Sequence, residues 1–248
     1  MTSIVLITGA SRGIGAATAV LAARNGWDVA VNYSHNAQAA AEVVQQVQAL
    51  GQRAMAVQAD VADDAQVKTM FAQVAERLGR IRALVNNAGV VDRAQRLQEM
   101  DMARWQRMFA INVLGSFACA REAVLAMSTA HGGAGGSIVN VSSAAARLGA
   151  ANQYVDYAAS KAALDTMTLG LAHEVASQGI RVNAVRPGLI ETDIHASGGQ
   201  PDRVARLAPG VPMGRGGTAE ETAEAIYWLM SDKSSYSTGA ILDVSGGR

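Results

Sequence analysis

Ile4-Val5-Leu6-Ile7-Thr8-Gly9-Ala10-Ser11-Arg12-Gly13-Ile14-Gly15 passes from an unbroken apolar run into a glycine-rich turn, and a helical pattern follows at once. A short, wholly apolar run suits a parallel strand buried on both faces. The free N–H groups and dipole of the next helix make its N-terminus an anion site. Glycines there let the backbone approach a pyrophosphate and let the helix pack on the strand. The spacing is Gly-x3-Gly-x-Gly rather than the commoner Gly-x-Gly-x2-Gly. The stretch predicts a strand, turn and helix that hold a dinucleotide at Gly9, Ser11, Arg12, Gly13, Ile14 and Gly15.

Working outward, further strands are expected at 28–33, 53–58, 82–85, 137–141, 180–185 and 240–244, with helical patterns between them. Strands alternating with helices imply one doubly wound parallel α/β sheet, mostly seven-stranded, in a single domain over residues 1–248. Asp63 and Thr218 are expected to cap helices, the latter in a capping box with Glu221. Between 189 and 217 Gly and Pro recur and periodicity is poor. A long irregular segment at a binding edge is usually functional, and it is read as a substrate loop or lid.

Lys and Arg balance Asp and Glu, 21 against 21, so neither nucleic acid nor an anionic membrane is suggested as a partner. The one cysteine, Cys119, excludes an internal disulfide. No secretory leader and no stretch long and apolar enough to cross a membrane is evident, so a soluble cytoplasmic protein is expected. The four histidines lie far apart, and no metal is expected.

The tip of the second strand is Asn32-Tyr33-Ser34-His35. A carboxylate there would bind the 2′-hydroxyl of NAD, and none is present. A 2′-phosphate would meet no repulsion, with Arg12 to pair with it and Ser34 and His35 as donors. NADP(H) is therefore favoured, with NAD(H) possible; the alternative is that Arg12 is a solvated loop residue. Asp60, followed by Val61, either accepts from an adenine amino group or caps the next turn. Asn86-Asn87-Ala88-Gly89 follows the fourth strand, and Gly89 permits close approach to a ligand. Asn112 sits in an apolar helical stretch and needs partners, which leaves a structural and a catalytic role both open. Ser142 and Ser143 end the fifth strand, and Pro187-Gly188 breaks the chain after the sixth, at the edge where such sheets bind ligands. Tyr157 and Lys161 lie one helical turn apart. An ammonium beside a phenol lowers its pKa, so the pair is a candidate proton donor or acceptor.

Thr8-Gly9-x3-Gly13-x-Gly15, Asn86 to Gly89, Asn112, Ser143, Tyr157-x3-Lys161 and Pro187-Gly188, in this order, resemble the short-chain dehydrogenase/reductase family over essentially the whole chain. The resemblance implies a Rossmann-like, NAD(P)-binding oxidoreductase acting on CH–OH or C=O groups, with Asn112, Ser143, Tyr157 and Lys161 as the catalytic set. It implies cofactor contacts at Asn87, Ala88, Gly89, Tyr157, Lys161, Pro187, Gly188, Ile190 and Thr192 as well as at the glycine turn and the Asn32–His35 tip. Tyr154 is a rival to Tyr157 but lies seven residues from Lys161, roughly 10 Å along a helix, so Tyr157 is preferred. Ser143 stands one residue farther from the tyrosine than is usual in the family, with Ser142 in reserve. The longer loop places Arg147, Gln153 and Tyr154 at the substrate side, together with Ser143 and Tyr157.

The expected reaction moves hydride between nicotinamide and a small carbonyl or alcohol (a ketone, sugar or polyol), with Tyr157 handling the proton and Asn112 holding a water that resupplies it. A 3-oxoacyl-[acyl-carrier-protein] reductase is an alternative, as is a dinucleotide-sensing protein without catalysis. Family members commonly pair the helix after Tyr157, here rich in alanine, so a homodimer or homotetramer is expected.

Overall fold

The computed structural model describes residues 3–248, so the expected single domain is described except for positions 1 and 2. Strand β1 (Ile4–Ile7) leads through the glycine turn into α1 (Gly13–Arg24), then β2 (Asp28–Tyr33), α2 (Ala37–Ala49), β3 (Ala54–Gln58), α3 (Asp64–Arg77) and β4 (Ala83–Asn86). A helical stretch follows, α4 (Met102–Phe109) running through a π-turn at Ala110–Leu114 into α5 (Gly115–Met127). The remainder is β5 (Gly136–Val141), α6 (Ala145–Leu148), α7 (Val155–Val175), β6 (Ile180–Pro187), α8 (Ile194–Ser197), α9 (Arg203–Leu207), α10 (Ala219–Met230) and β7 (Ile241–Val244).

The seven strands form one parallel sheet in the order β3-β2-β1-β4-β5-β6-β7. β1 pairs with β2 on one side and β4 on the other, with Leu6 opposite both Ala30 and Leu84. The order reverses there, and ligands of open α/β sheets bind outside the strand ends at such a point. Strand side chains alternate, which gives two cores. Leu6 and Leu84 pack with Met70, Phe71, Cys119 and Leu164 on the face covered by α3, α5 and α7. Val5, Ile7, Val29 and Val31 pack with Ala19, Val43, Ile226 and Leu229 on the face covered by α1, α2 and α10. Both faces of β1 are apolar because both are covered.

Asn36, Asp63, Asp101 and Thr218 cap their helices with side-chain oxygens, and Thr218 and Glu221 form the capping box. α1 has no such cap and no acid in its first turn. Its free N–H groups therefore remain available to an anion.

Two expectations need correction. The 189–217 segment is not wholly irregular: it contains α8, α9 and a 3₁₀ turn at Ala208–Gly210. A bridge between Ile190 and Gly217 ties its ends together. Second, Met102–Met127 is a continuous helical stretch of 26 residues containing an 18-residue window of mean hydropathy 1.4, long and apolar enough by length and composition to cross a membrane, although no such stretch was expected. Its Cys119, Ala120, Ala123 and Met127 are buried in the core, which accounts for much of that hydropathy.

Candidate active site

A cleft of about 880 Å³ opens at the strand ends around the β1–β4 switch point. Gly9 and Gly13 in its floor have φ of +60° and +56°, and a Cβ at Gly9 would lie 2.9 Å from the Ala88 Cα. Gly15 packs below the floor, where a Cβ would lie 2.5 Å from the Asn87 Nδ2 and 2.8 Å from the Gly9 carbonyl. These contacts fit the close helix–strand packing of a pyrophosphate turn. Asn87 Nδ2 donates to the carbonyls of Thr8 and Gly9 (2.8 and 2.9 Å), and Thr8 Oγ1 accepts from the Asn87 and Ala88 N–H groups. The end of β4 is thus fastened to the turn.

The cleft brings together Gly9, Ser11, Arg12, Gly13, Ile14, Asn32, Tyr33, Ser34, His35, Asp60, Val61, Asn87, Ala88, Gly89, Ser143, Gln153, Tyr154, Tyr157, Lys161, Pro187, Gly188, Ile190 and Thr192 along its walls. Asn32 lines it but has its amide occupied. Its Oδ1 accepts from Gly9 N–H (3.1 Å) and its Nδ2 donates to the Val57 and Ala59 carbonyls, so it shapes the turn from beneath. Asp60 Oδ1 accepts from Ala62 N–H and caps a turn. Arg12 is exposed and ion-pairs with no carboxylate among the described residues.

Two expected site residues lie elsewhere. Arg147, on α6, is not among the cleft-lining residues; its Nη2 donates to the Arg248 carbonyl (2.6 Å) and Asp243 lies 3.9 Å away. It lines a separate cavity of about 450 Å³ instead. Asn112 is fully buried behind the cleft wall, its Oδ1 accepting from Val90 N–H (2.8 Å) and its Nδ2 donating to the Val90 carbonyl and Ser160 Oγ (both 3.0 Å). Both ends of the amide are thus engaged by protein groups. A Cβ at Gly89 would lie 3.3 Å from Lys161 Nζ and 3.4 Å from Asn112 Oδ1, so the glycine admits all three.

Ser143 and Tyr157 share the cleft wall, where the serine hydroxyl favours the phenolate, while its Oγ accepts from Ala145 N–H at 3.1 Å. Ser142 also lines the cleft but is buried, and its hydroxyl donates to the Lys161 carbonyl (3.1 Å). Lys161 Nζ donates to the Val141 carbonyl (2.8 Å) and lies 5.7 Å from the Tyr157 ring centre. Burial pushes the lysine down to about 8, and burial pushes the tyrosine above its ordinary 10.0 against the Ser143 hydrogen bond and the Arg203 charge. Burial thus works against the charged form of each group, the ammonium of the lysine and the phenolate of the tyrosine.

Asp156, next to the tyrosine, anchors this end of α7. Its carboxylate receives Arg104 Nε (2.6 Å) and Nη2 (3.1 Å) and accepts from Tyr157 N–H (2.9 Å), with both side chains nearly dry. Arg104 also donates to the Arg93 carbonyl and Gln95 Oε1, holding the loop after β4. Breaking a buried pair from one side strands a charge, so Asp156→Ala should cost about 3–5 kcal/mol, measured by urea unfolding. The double change Arg104→Met with Asp156→Leu should recover most of that loss.

The sequence reading missed Arg203, Leu207 and Arg248, which also line the cleft. Arg203 lies over the Tyr154 ring (5.1 Å) and donates from Nη1 to Gln153 Oε1 (2.6 Å). Its signal was only an arginine in the Gly- and Pro-rich segment. Ala150 and Asn152, in the loop before α7, have φ of +47° and +61°. Left-handed non-glycine residues are uncommon and gather at functional sites.

A family model described as Enoyl-(Acyl carrier protein) reductase matches residues 9–248. The chain is 52% identical over 246 residues to "Uncharacterized oxidoreductase YgfF" of Escherichia coli K12, covering 99% of this chain and 100% of that one. It is 37% identical over 247 residues to a Staphylococcus aureus 3-oxoacyl-[acyl-carrier-protein] reductase, covering 100% of this chain and 98% of the relative. Among solved structures, a short-chain type dehydrogenase/reductase from Mycobacterium marinum superposes with a TM-score of 0.92 at 35% identity, covering 99% of this chain and 94% of that one.

Proposed function

Because the chain belongs to the short-chain dehydrogenase/reductase family, whose members use a nicotinamide cofactor on alcohol and carbonyl groups, we propose that it is an NADP(H)-preferring oxidoreductase of a small carbonyl or alcohol substrate, with Tyr157 as the proton donor and acceptor. The observation that carries this reading is the junction of the uncapped α1 N-terminus and the Ser143–Tyr157–Lys161 cluster in one cleft. The glycine floor, in which added Cβ atoms would collide, fits a dinucleotide phosphate.

A nicotinamide bound here supplies hydride to the substrate carbon or takes it back. Tyr157 gives its proton to the developing alkoxide, and its raised pKa keeps that proton available at neutral pH. Ser143, on the same cleft wall as the phenol, orients the carbonyl oxygen. Lys161 would offer its ammonium, whose proton burial loosens, as a donor to the ribose of a bound cofactor. Asn112 positions Val90 and, through Ser160, the first turns of α7. Residues 189–217, tied at Ile190 and Gly217, act as the lid. The apolar side chains exposed on α4, α5 and α7, namely Met102, Phe109, Phe117, Leu125 and Leu169, support a homodimer or homotetramer.

NADP(H) is favoured because the β2 tip offers no carboxylate and Arg12 is free to meet a 2′-phosphate. Arg12→Gln should weaken NADPH binding roughly tenfold, about 1.4 kcal/mol, and leave NADH binding within about twofold, by fluorescence titration. The second reading, 3-oxoacyl-[acyl-carrier-protein] reductase, has the Staphylococcus relative in its favour. Oxidation of NADPH and NADH against a panel of ketones, aldoses and one 3-oxoacyl thioester tests both. Turnover of small carbonyls with NADPH preferred is expected; activity on the thioester alone selects the second reading, and NADH preference overturns the cofactor assignment.

A further inference from the structure

We propose that Arg203 anchors a carboxylate on the substrate, so that the preferred substrates are oxo acids and the hydroxy acids they yield rather than neutral ketones. The inference rests on the oxidoreductase reading and narrows its substrate class. Arg203 is carried on α9 to the wall that also holds Tyr154 and Tyr157. It is half-buried, and only its Nη1 is engaged, by Gln153 Oε1 (2.6 Å) and Gln200 Oε1 (3.3 Å). Among the described residues no acceptor meets its Nε or Nη2, and no carboxylate lies within ion-pair reach. Asp193 lines the same cleft without pairing with it, and Asp202 turns to Arg206 instead (3.8 Å).

The other enclosed arginines are matched. Arg104 has Asp156, Arg186 has Asp165, and Arg181 is surrounded by the Leu229, Ser231 and Ser237 carbonyls and Ser234 Oγ. Arg203 alone among these faces open cleft with its Nε–Nη2 edge unused. That edge is the fork that receives a carboxylate through two parallel hydrogen bonds. The Tyr154 ring, itself held by Gln200 Nε2, fixes the guanidinium plane. Arg206 and Arg248 add positive charge to the same region and deepen the attraction for an anion. Burial has stripped part of the water from Arg203 without supplying a counter-charge, and a bound carboxylate supplies it. Gripped there, an oxo acid has one end fixed while its carbonyl meets Tyr157 and Ser143. The carboxylate stays ionised and outside the electron balance: hydride adds to the carbonyl carbon, the Tyr157 proton goes to the oxygen, and the oxidised cofactor leaves.

The test pairs 3-oxobutanoate, 4-oxopentanoate and 5-oxohexanoate with their methyl esters, in the wild-type holoenzyme and in Arg203→Gln and Arg203→Lys. At least one acid should exceed its ester about tenfold in kcat/KM, and Arg203→Gln should erase the preference through KM. Arg203→Lys, which keeps the charge and loses the fork, should fall between them. Calorimetry of the acids with cofactor-loaded protein should show about tenfold weaker binding in Arg203→Gln, with NADPH affinity unchanged. Equal efficiency on every acid and ester, an equal loss on both in Arg203→Gln, or a weakened NADPH affinity overturns the proposal. Arg203-dependent binding of an acid without any turnover would sustain this inference and defeat the oxidoreductase reading, whereas turnover of esters without acid preference would do the reverse.

Discussion

Tyr157→Phe should lower carbonyl reduction by about 10²–10⁴-fold in kcat, the span that a positioned general acid contributes, while NADPH binds as before. The side chain keeps its ring and loses only the hydroxyl that Ser143 meets. Ser143 keeps its hydrogen bond from Ala145 N–H, so little rearrangement is expected. Stability should change by less than about 1 kcal/mol, since at most one hydrogen bond is at stake. The KM should move little, because the lost interaction belongs to the transition state. Full turnover in a variant that still binds NADPH would remove Tyr157 from its role.

Lys161→Met should abolish most activity and make the free protein more stable at pH 7. The lysine is 3% exposed and its pKa falls from 10.5 to about 8. Holding the charge indoors costs about 3 kcal/mol, from 1.36 kcal/mol per unit. Loss of the hydrogen bond to the Val141 carbonyl returns about 1 kcal/mol. A net gain of about 2 kcal/mol corresponds to a Tm rise of roughly 4–8 °C for a domain of this size. The pH window follows from the sign of the shift. Below about pH 8 both folded and unfolded chains carry the proton and the penalty is complete. Between about 8 and 10.5 the unfolded chain holds more protons, so wild-type stability climbs relative to the variant. Above 10.5 the penalty has gone, leaving only the lost hydrogen bond. A thermal scan at several pH values reads this directly. A variant less stable at pH 7 would show that Lys161 is compensated by contacts stronger than the Val141 carbonyl.

The sheet was legible because its signals are local. The apolar Ile4–Ile7 run and the glycine turn specify a covered parallel strand and its ligand edge within one contiguous stretch. The π-turn at Ala110–Leu114 was not legible, since Ile111-Asn112-Val113-Leu114 carries no signature separating it from an ordinary helical turn. Asn32 was read at a strand tip, and only the positions of Gly9, Val57 and Ala59 reveal that its amide is already used. The Tyr157–Lys161 spacing was legible, but the direction in which burial shifts each group is something a spacing cannot express. Arg147 was expected at the cleft and Arg203 was not, for a similar reason. One is engaged by the Arg248 carbonyl and the other is brought to the cleft wall by α9.

Hydride transfer itself is the most direct test of the account. NADPH deuterated at the transferring C4 position is given to the wild-type protein with a turned-over carbonyl compound, and the alcohol is analysed by mass spectrometry and NMR. The account predicts one deuterium on the carbinol carbon and a hydroxyl proton drawn from solvent, with product formation slowed in Tyr157→Phe. An alcohol without deuterium at that carbon, or deuterium transfer undiminished in Tyr157→Phe, would contradict it.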